Sequence, residues 1–482
     1  MKLRELLAGV PICAGSADLE MEISGVSYDS RTTRPGDLFV AMTGFATDGH
    51  QYIAKALANG AAAVLCQRRP AEVCAYVQTE DSRRALAVIG GNWFGHPAEE
   101  MTMIAVTGTC GKTTTTYLLK AILEQARGVK VGLIGTNQNM IGSDVIPTER
   151  TTPESFEVQK LFREMADAGC THVVMETSSH ALYLDRVYGV RYDVGIFTNL
   201  TQDHLDFHKT MENYCDAKAI LFRNCVTGVV NADDPWTPRL LKDADCKVMT
   251  YAEQADADLR AENIVLSAGG IAFDAVSGAE RVPIRVNIPG GFMVYNTLDV
   301  LGAALALGIS LKESAAVLAK VPHVKGRVEI VPTPGKDYTI LIDYAHTPDS
   351  MVNVLQTVKE FAKGRTVAVF GCGGDRDRTK RPLMGKAAAD WSDFAVVTTD
   401  NPRTEEPEAI IADILPGFDG SATPYHVVVD RIEAIHWAMD HAETDDVIVL
   451  CGKGHETYQE VNHVKHHMDE REIVADYLSS GR

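Results

Sequence analysis

The stretch Thr107-Gly108-Thr109-Cys110-Gly111-Lys112-Thr113-Thr114 decides the fold of the central part of this chain. It follows an apolar run over residues 103–106 and precedes residues 118–126, where apolar side chains recur at three- and four-residue spacing. The two glycines permit a tight turn, so that backbone N–H groups can surround phosphate oxygens at a helix N-terminus. The stretch therefore predicts a strand, a phosphate-binding loop and a helix.

Two side chains of this loop are expected to act on a bound nucleotide directly. Lys112 would place a positive charge on the β- and γ-phosphates, and the Thr113 hydroxyl would ligate Mg²⁺. The spacing differs from that of the general P-loop, since two residues rather than four separate the glycines. An ordinary glycine-containing turn is the alternative interpretation, and the Lys-Thr-Thr sequence after Gly111 makes it the weaker one.

Length and charge limit the number of domains and the class of function. At roughly 150 residues per domain, a chain of 482 residues predicts about three domains. Its 46 basic and 65 acidic side chains give a net charge of −19. This charge argues against a nucleic-acid binder, because such proteins neutralise phosphates with clustered Lys and Arg. No stretch approaches the ~18 uninterrupted apolar residues of a membrane span.

The N-terminal residues and the cysteines together predict a cytoplasmic protein. Glu5 and Gly9 interrupt what would be the apolar core of a signal peptide, so the first helix of a folded domain is expected instead. The ten cysteines include no C-x-x-C pair, which indicates neither a zinc cluster nor a disulfide framework. Reduced thiols in a cytoplasmic enzyme fit this pattern.

The last third of the chain contains short apolar runs, each followed by a polar cluster. The runs are residues 339–342, 366–370, 394–397 and 447–450. The clusters are Asp343–Pro348, Gly371–Arg376, Asp400–Arg403 and Gly452–Glu456. Continuous apolar runs separated by helical patterns predict buried strands of a parallel sheet. Because ligands of such sheets bind at the carboxyl ends of the strands, we expect the clusters to share one site.

Two strand ends in the middle of the chain carry further candidates. The run 172–175 leads to Glu176, a carboxylate that could hold a second Mg²⁺. The run 194–197 leads to a segment in which two histidines and two aspartates, including His204, lie between residues 203 and 208. From the residues alone, a structural and a catalytic role for His204 stay equally open. Lys218 reads as an ordinary surface-helix lysine.

Taken together, the motifs resemble those of the Mur ligase family. The stretches that carry the resemblance are Thr107–Thr114, Glu176–His180, Thr198–His208, Asp343–Pro348, Gly373–Asp377, Asp400–Arg403 and Gly452–Glu456. The resemblance runs from Asp29 to Glu456, which is nearly the whole chain.

The resemblance implies an α/β fold of three domains. Residues 1–97 would form an N-terminal α/β domain that binds a UDP-sugar. Residues 98–325 would form a central P-loop ATPase with a parallel sheet. Residues 326–482 would form a C-terminal Rossmann-like domain that receives an amino acid. The Pro- and Gly-containing stretch 321–326 is the predicted linker between the last two.

The implied activity is an ATP-dependent ligation in cytoplasmic peptidoglycan precursor synthesis. UDP-N-acetylmuramoyl-L-alanyl-D-glutamate would be activated as an acyl phosphate and joined to a third amino acid, with ATP as co-substrate and Mg²⁺ as cofactor. A monomer is expected, without nucleic-acid or membrane partners. The alternatives are a ligase resembling folylpolyglutamate synthase, and a P-loop switch that hydrolyses nucleotide without either substrate.

The resemblance also assigns roles to individual residues. The catalytic group comprises Lys112, Glu176, His204 and Lys218, the last as a carbamate formed with CO₂. The metal ligands are Thr113, Glu176 and the modified Lys218. The ATP-binding residues are Gly108, Thr109, Cys110, Gly111, Lys112, Thr113, Thr114, Asn296, Arg327, Asp343 and His346. The UDP-sugar-binding residues are Tyr28, Ser30, Phe45, Ala46, Thr47, Arg150, Thr151, Thr152, Ser178 and Arg186. Two positions depart from the family pattern, Met293 and Arg150, where asparagine is common.

The amino-acid specificity is argued from Arg403. meso-Diaminopimelate differs from lysine by a carboxylate at the far stereocentre, and an arginine matches a carboxylate with two parallel hydrogen bonds. The amino-acid-binding residues are expected to be Arg376, Asp400, Asn401, Pro402, Arg403, Gly452 and Glu456. Since a lysine-adding enzyme would gain nothing from an unpaired cation there, meso-diaminopimelate is predicted, with L-lysine as the alternative.

Overall fold

A computed structural model describes residues 1–44, 47–148, 150–267, 269–321, 326 and 328–480 of the chain. The chain forms two compact units. The first comprises Met1–Tyr251 with Gly302–Ile309, and the second comprises Ala252–Leu301 with Ser310–Arg482. The three domains of the sequence analysis, 1–97, 98–325 and 326–482, stay a prediction, and most of the predicted linker lies outside the described residues.

The first unit begins with a small sheet in the order β1-β5-β4-β3-β2. Its strands are β1 Ala14–Gly15, β2 Gly25–Ser27, β3 Asp37–Val40, β4 Ala63–Cys66 and β5 Tyr76–Gln78. Its helices are α1 Leu3–Leu6, α2 Ile53–Ala58 and α3 Ser82–Phe94, with 3₁₀ turns at Gly49–Tyr52 and Pro97–Glu100. All neighbouring strands are parallel except β1, which runs antiparallel to β5. Both β3 and β4 are buried along their whole length.

A second, larger sheet of the first unit carries the phosphate-binding loop. Its strands are β6 Thr102–Thr107, β7 Val131–Ile134, β8 Asn139–Ile141, β9 Asp144–Ile146, β10 His172–Glu176, β11 Tyr192–Phe197, β12 Cys225–Asn231 and β13 Lys247–Ala252. Their order is β13-β12-β11-β6-β10-β7-β8-β9, parallel from β13 to β7 and antiparallel beyond. The helices are α4 Lys112–Arg127, α5 Ser155–Asp167, α6 Ser179–Tyr183, α7 Leu205–His208, α8 Met211–Ala219 and α9 Thr237–Leu240, with a 3₁₀ turn at Ile220–Arg223.

Strand order explains why the functional segments of this sheet meet. β6 lies between β10 and β11, so the loops that follow these three strands leave the same edge of the sheet side by side. These loops are the predicted phosphate-binding loop, the segment after Glu176 and the segment after Phe197. The strand–loop–helix prediction over residues 103–126 is thereby confirmed.

The second unit begins with an antiparallel meander and continues with two helices. The meander consists of β14 Leu259–Ser267, β15 Gly270–Ser277 and β16 Glu280–Val286, and the helices are α10 Phe292–Ala306 and α11 Leu311–Leu318. Ser310 caps α11 by accepting a hydrogen bond from the backbone of Glu313, whose carboxylate accepts in return from the backbone N–H of Ser310.

The C-terminal sheet has the order β17-β18-β22-β19-β20-β21. Its strands are β17 Glu329–Val331, β18 Thr339–Asp343, β19 Thr366–Phe370, β20 Phe394–Val397, β21 Tyr425–Val427 and β22 Val447–Cys451, followed by a hairpin of β23 Tyr458–Val461 and β24 Val464–His467. The helices are α12 Pro348–Lys359, α13 Lys380–Trp391, α14 Pro407–Ile414, α15 Arg431–Asp440 and α16 Glu470–Ser479, with a 3₁₀ turn at Leu415–Phe418. The four predicted strands are confirmed, and every strand is parallel to its neighbours except β17.

Apolar side chains from both faces of the C-terminal sheet explain its burial pattern. One cluster, which includes Leu341 and Phe370, packs against α12, α13 and α14, and a second, which includes Ile340 and Val369, packs against α15 and α16. A parallel sheet covered on both faces needs continuous apolar strands rather than alternating ones. In the described part of the chain, no helix is both long and apolar enough to cross a membrane.

A buried ion pair supports the strand ends of this sheet. The guanidinium of Arg431 is fully buried and lies 2.7 Å from the carboxylate of Glu470, which is also buried. It donates hydrogen bonds to the carbonyls of Cys451 (2.8 Å) and Thr399 (3.4 Å), the residues immediately before Gly452 and Asp400. One side chain therefore holds the starting points of two predicted substrate-binding segments.

Replacing Arg431 by methionine is expected to destabilise the protein by about 3–5 kcal/mol, because Glu470 would stay buried without its partner. Urea-induced unfolding measures this loss. The double variant with Glu470→Leu as well is expected to recover part of it, since an apolar pair avoids the unpaired charge. A loss below about 1 kcal/mol for the single variant would contradict a supporting role.

Candidate active site

The phosphate-binding loop of the first unit is held in an open turn by contacts with the segment after β11. Gly108 has a φ of +152°, and a Cβ there would lie 1.8 Å from the hydroxyl of Thr198. The backbone N–H groups of Thr109 and Cys110 donate to the backbone and side-chain oxygens of Asn199. Gly111, with a φ of +88°, caps α4. Only glycine fits at Gly108, because the neighbouring loop leaves no room for a side chain.

Two lysine ammonium groups meet at one carbonyl of this loop. Lys112 donates to the carbonyls of Gly108 (2.9 Å) and Thr109 (2.7 Å). Lys218, from the last turn of α8, donates to the same Gly108 carbonyl at 2.8 Å. Burial, and then the positive charge of Lys112, hold the pKa of Lys218 well below its ordinary value. The neutral amine is therefore favoured, which makes Lys218 chemically unlike a surface lysine.

Glu176 lies at the end of β10 and is held by neutral donors. Its carboxylate accepts from the hydroxyl of Thr113 (2.9 Å), and from the backbone N–H (2.9 Å) and hydroxyl (2.8 Å) of Thr136. The residue is almost completely buried, and a Cβ at Gly135 would lie 2.6 Å from its carboxylate. Burying a carboxylate is costly unless it is paired with a positive charge or coordinates a metal. The donor set of Glu176 and Thr113 therefore fits a hard divalent cation.

The predicted UDP-sugar residues of the middle region adjoin this carboxylate. Thr152 donates from its hydroxyl to the carbonyl of Glu176 (2.8 Å), and Thr151 lies 3.0 Å from Thr136, hydroxyl to hydroxyl. Ser178 caps α6 and donates its backbone N–H to Thr152. Arg186 donates to the carbonyl of Thr152 at 3.1 Å. The structure thus brings predicted metal, ATP and substrate residues together around Glu176.

The remaining UDP-sugar candidates are less closely grouped. Tyr28 makes a side-chain hydrogen bond with Glu157 of α5, and burial together with this bond raises the pKa of its hydroxyl. Ser30 is buried, and its carbonyl accepts from Asn59 (2.7 Å), whereas Thr47 and Arg150 are exposed. Phe45 and Ala46 lie outside the described residues.

His204 lies in a cluster of aromatic rings at the start of α7. Its ring makes an edge contact with His180 at 4.8 Å between centroids and pairs with the carboxylate of Asp203 at 3.3 Å. Its backbone adopts a φ of +53°, a left-handed conformation that is uncommon outside glycine. Since strained residues cluster at functional sites, this geometry supports a role for His204 without defining it.

In the second unit, the turns Asp400–Arg403 and Gly452–Glu456 meet, as predicted. Asn401 donates to Glu456 (3.0 Å) and accepts from the fully buried ammonium of Lys453 (2.7 Å), which also donates to Glu456 (2.9 Å). A Cβ at Gly452 would lie 2.5 Å from the carboxylate of Asp400. Glu456 therefore stands in this site with its charge compensated by Lys453.

Arg403 is fixed by backbone and side-chain contacts. Its φ is +53°, its N–H donates to the carbonyl of Glu460 and its carbonyl accepts from Asn462. Its guanidinium donates from Nη1 to the carbonyl of Gly374 (2.7 Å) and from Nε to the carboxylate of Glu460 (3.2 Å). A Cβ at Gly374 would lie 1.9 Å from the carbonyl of Pro402, so this close approach requires glycine.

The other predicted residues of the second unit are placed as follows. Arg376 is exposed and donates to the carbonyl of Asp375. Asp343 ends β18 and accepts from the N–H groups of Val328 and Gly452. His346 is exposed and lies against the ring of Tyr344. Two further calls need separate mention: Asn296 is buried in α10 against the sulfur of Met293, and Arg327 lies outside the described residues.

Several residues of both sites were not singled out from the sequence. They are Thr136, Asn199, Glu154, Lys453, Glu460 and Arg431. Lys453 and Asn199 stand inside quoted motifs, so their position was the available signal. Thr136 follows a strand end at Gly135, which is the same signal that identified Glu176. Glu154, Glu460 and Arg431 carry no local pattern, because their partners are distant in the sequence.

Family models match most of the chain. The Mur ligase middle domain matches residues 106–304, the Mur ligase glutamate ligase domain matches residues 326–454, and the Mur ligase family catalytic domain matches residues 22–90. The chain belongs to the Mur ligase family. The motifs that suggested this family from the sequence are thus correctly interpreted.

Named relatives of this Mur ligase cover it almost completely. It is 49% identical over 463 residues, 95% of each chain, to the UDP-N-acetylmuramoyl-L-alanyl-D-glutamate–2,6-diaminopimelate ligase of Clostridium botulinum. It is 47% identical over 481 residues, 99% of each chain, to an enzyme of the same name, numbered 1, in Clostridium acetobutylicum.

Solved structures resemble this Mur ligase in fold. A structure of UDP-N-acetylmuramoyl-L-alanyl-D-glutamate–2,6-diaminopimelate ligase matches with a TM-score of 0.74 and 32% identity, covering 100% of this chain and 99% of that one. Folylpolyglutamate synthase of Mycobacterium tuberculosis, complexed with ADP and AMPPCP, matches with a TM-score of 0.61 and 19% identity over 77% of this chain and 92% of that one. The second likeness shows a common fold alone.

Proposed function

We propose that this Mur ligase joins meso-2,6-diaminopimelate to UDP-N-acetylmuramoyl-L-alanyl-D-glutamate in an ATP-dependent reaction. The observation that carries the proposal is Arg403, held by Gly374 and Glu460 beside the Lys453–Glu456 pair. An arginine in this place suits the carboxylate that distinguishes meso-diaminopimelate from lysine. The names of the relatives at 49% and 47% identity support the same substrate.

The reaction needs an activated carboxyl group, because an ionised carboxylate resists attack by an amine. The terminal carboxylate of the UDP-linked dipeptide attacks the γ-phosphorus of ATP, forming an acyl phosphate and releasing ADP. The amine of the incoming amino acid then attacks the acyl carbon, and phosphate leaves as the peptide bond forms. Such phosphoryl transfer depends mainly on positioning and neutralisation of charge.

The residues of the first unit supply this positioning. Backbone N–H groups of residues 108–114 surround the phosphates, and the Lys112 ammonium moves from its two carbonyl acceptors to the phosphate oxygens. Glu176, Thr113 and carbamylated Lys218 would hold Mg²⁺, which neutralises the charge that develops on the phosphates. Arg186 and Thr152 hold the dipeptide end of the substrate beside Glu176. His204 orients this arrangement from the ring cluster, or accepts a proton as its less favoured role.

Mg²⁺ fits these residues because it prefers few protein ligands. Within the described ranges, no group of three or more His, Cys, Asp or Glu side chains is arranged to hold a metal ion. Mg²⁺ typically takes one or two carboxylates, with phosphates and water completing its coordination. Glu176 and Thr113 meet this requirement together with the phosphates of ATP.

Phosphate release tests the proposal with the natural substrate and with two competitors. Purified enzyme is given ATP, the UDP-linked dipeptide and one of meso-diaminopimelate, L-lysine or L-ornithine. Rapid phosphate release is expected with meso-diaminopimelate and requires the dipeptide as well. Faster release with L-lysine would favour the alternative substrate, and release without either substrate would favour a P-loop switch.

Carbamylation of Lys218 is expected to be required for activity. The low pKa of its buried amine favours the neutral form that reacts with CO₂, and the carbamate supplies anionic oxygens in place of a cation. Lys218→Ala should lose nearly all activity and regain part of it with short-chain carboxylic acids. Native mass spectrometry should find the mass of one CO₂ on the wild type and not on the variant.

Lys112→Ala is the matched control for this rescue, because carboxylic acids cannot replace a missing positive charge. Equal rescue of both variants would show that the acids act elsewhere. An active, CO₂-saturated wild type without the added mass would contradict the carbamate.

A further inference from the structure

We infer that Glu460 is a specificity-determining residue, whose carboxylate with Arg403 selects an amino acid carrying both an ammonium and a carboxylate at its distal end. The inference rests on the proposed function, since it concerns the far end of the incoming amino acid. It goes beyond the arginine–carboxylate contact by asking what the adjacent negative charge does.

Glu460 is held against Arg403 by three contacts of the second unit. The two side chains lie 3.2 Å apart, Nε to Oε2, and are mostly shielded, with 17% of Arg403 and 21% of Glu460 exposed. The backbone N–H of Arg403 donates to the carbonyl of Glu460 (3.1 Å), and the backbone N–H of Glu460 donates to Asn401 (2.8 Å). The pair is thus built into the junction of β23 with the turn that supplies Arg403.

The other carboxylate of the junction is already neutralised. Glu456 accepts hydrogen bonds from the fully buried ammonium of Lys453 and from Asn401. Lys465, the partner of Glu460 across the hairpin, has its ammonium over the ring of Tyr458 at 4.0 Å. Each buried or half-buried cation beside the site therefore has one carboxylate, Lys453 with Glu456 and Arg403 with Glu460.

This balance of charge favours a zwitterion. At the distal carbon of meso-diaminopimelate the ammonium nitrogen and the carboxylate carbon are about 2.5 Å apart, as standard bond lengths require. A carboxylate bound to Arg403 therefore brings an ammonium close to Glu460, and the added charges cancel. A ligand with a distal carboxylate alone would leave Arg403 shared between two anions, which disfavours binding.

L-2-Aminopimelate tests this directly, because it is diaminopimelate without the distal amine. The wild-type enzyme is expected to use meso-diaminopimelate at least about tenfold more efficiently than L-2-aminopimelate, the effect of one charged hydrogen bond. Equal efficiency of the wild type with both amino acids would overturn the inference. It would leave the proposed function intact, since that function fails only if meso-diaminopimelate itself is not used.

Two substitutions separate charge from positioning. Glu460→Gln keeps an oxygen that can accept from Arg403 but removes the charge, so the preference for meso-diaminopimelate over L-2-aminopimelate should fall to about threefold or less. Glu460→Leu removes both functions and should lower efficiency with both amino acids as well. If Glu460→Gln lowers both efficiencies by the same factor, Glu460 only orients Arg403 and the inference is wrong.

Glu472→Gln is the matched control, because Glu472 is an exposed glutamate of the same unit that pairs with His467. It should leave the ratio of efficiencies at the wild-type value. The KM for ATP should change in none of these variants, whereas general loss of structure would raise it together with the KM for the amino acid.

Discussion

Replacing Lys112 by alanine is expected to abolish ATP turnover while the protein stays folded. The ammonium of Lys112 has only backbone carbonyls as described partners, so its removal costs little stability in the absence of nucleotide. With ATP bound, the β- and γ-phosphates would lack their main positive charge. Removing one such electrostatic contact typically lowers kcat about a hundred- to a thousandfold. Phosphate release with all three substrates measures the loss.

Lys120→Ala is the matched control for Lys112→Ala. Lys120 lies two turns further along α4, and its ammonium pairs with Glu124 rather than with the loop. The control should retain most of the activity. Thermal unfolding of both variants shows whether each is folded. Undiminished phosphate release by folded Lys112→Ala would contradict the phosphate-binding role of the loop.

Replacing Arg403 by alanine is expected to lower the efficiency with meso-diaminopimelate by about a hundredfold or more. Truncating one partner of a buried, hydrogen-bonded charge pair costs about 2–5 kcal/mol, mostly because the other charge is left unpaired. In this site the substrate carboxylate and Glu460 would both lose their cation. L-Lysine lacks the distal carboxylate, so its already low efficiency should fall much less. Steady-state rates with both amino acids and both proteins measure the difference.

Arg376→Ala provides the control for position and charge. Arg376 lies close to Arg403 at Gly373 but is exposed and donates to a backbone carbonyl. Its loss should affect meso-diaminopimelate less than the loss of Arg403. A wild type that prefers L-lysine, or an Arg403→Ala variant in which both efficiencies fall by the same factor, would show that Arg403 does not read the substrate.

Much of the architecture could be predicted from the sequence because it depends on local patterns. The strand before Thr107 and the helix after Gly111 follow from apolar periodicity and from two glycines with positive φ. The parallel C-terminal strands follow from continuous apolar runs, since only strands covered on both faces need them. The short edge strands β17 and β21 were missed, because partly exposed residues give no continuous apolar run.

The candidate sites were predictable where one short motif carries the chemistry. Lys112, Thr113 and Glu176 each stand directly after a strand or loop signal, and the structure brings Thr113 and Glu176 to 2.9 Å. Lys218 could be selected only by its family resemblance. Its unusual character comes from complete burial beside Lys112, which the composition of α8 does not reveal.

The sequence by itself determined which chemical groups follow each strand, since turn glycines, charged residues and apolar runs act over a few neighbouring positions. The tertiary structure decided which of these groups face each other. Asn401 and Lys453 are 52 residues apart in the chain, and Arg403 and Glu460 are 57 apart, yet each pair is in hydrogen-bond contact. Such pairs form because crossover helices return the chain to a parallel sheet, whose strand order places distant loops at one edge. Burial at that edge then sets their charge, which no local pattern encodes.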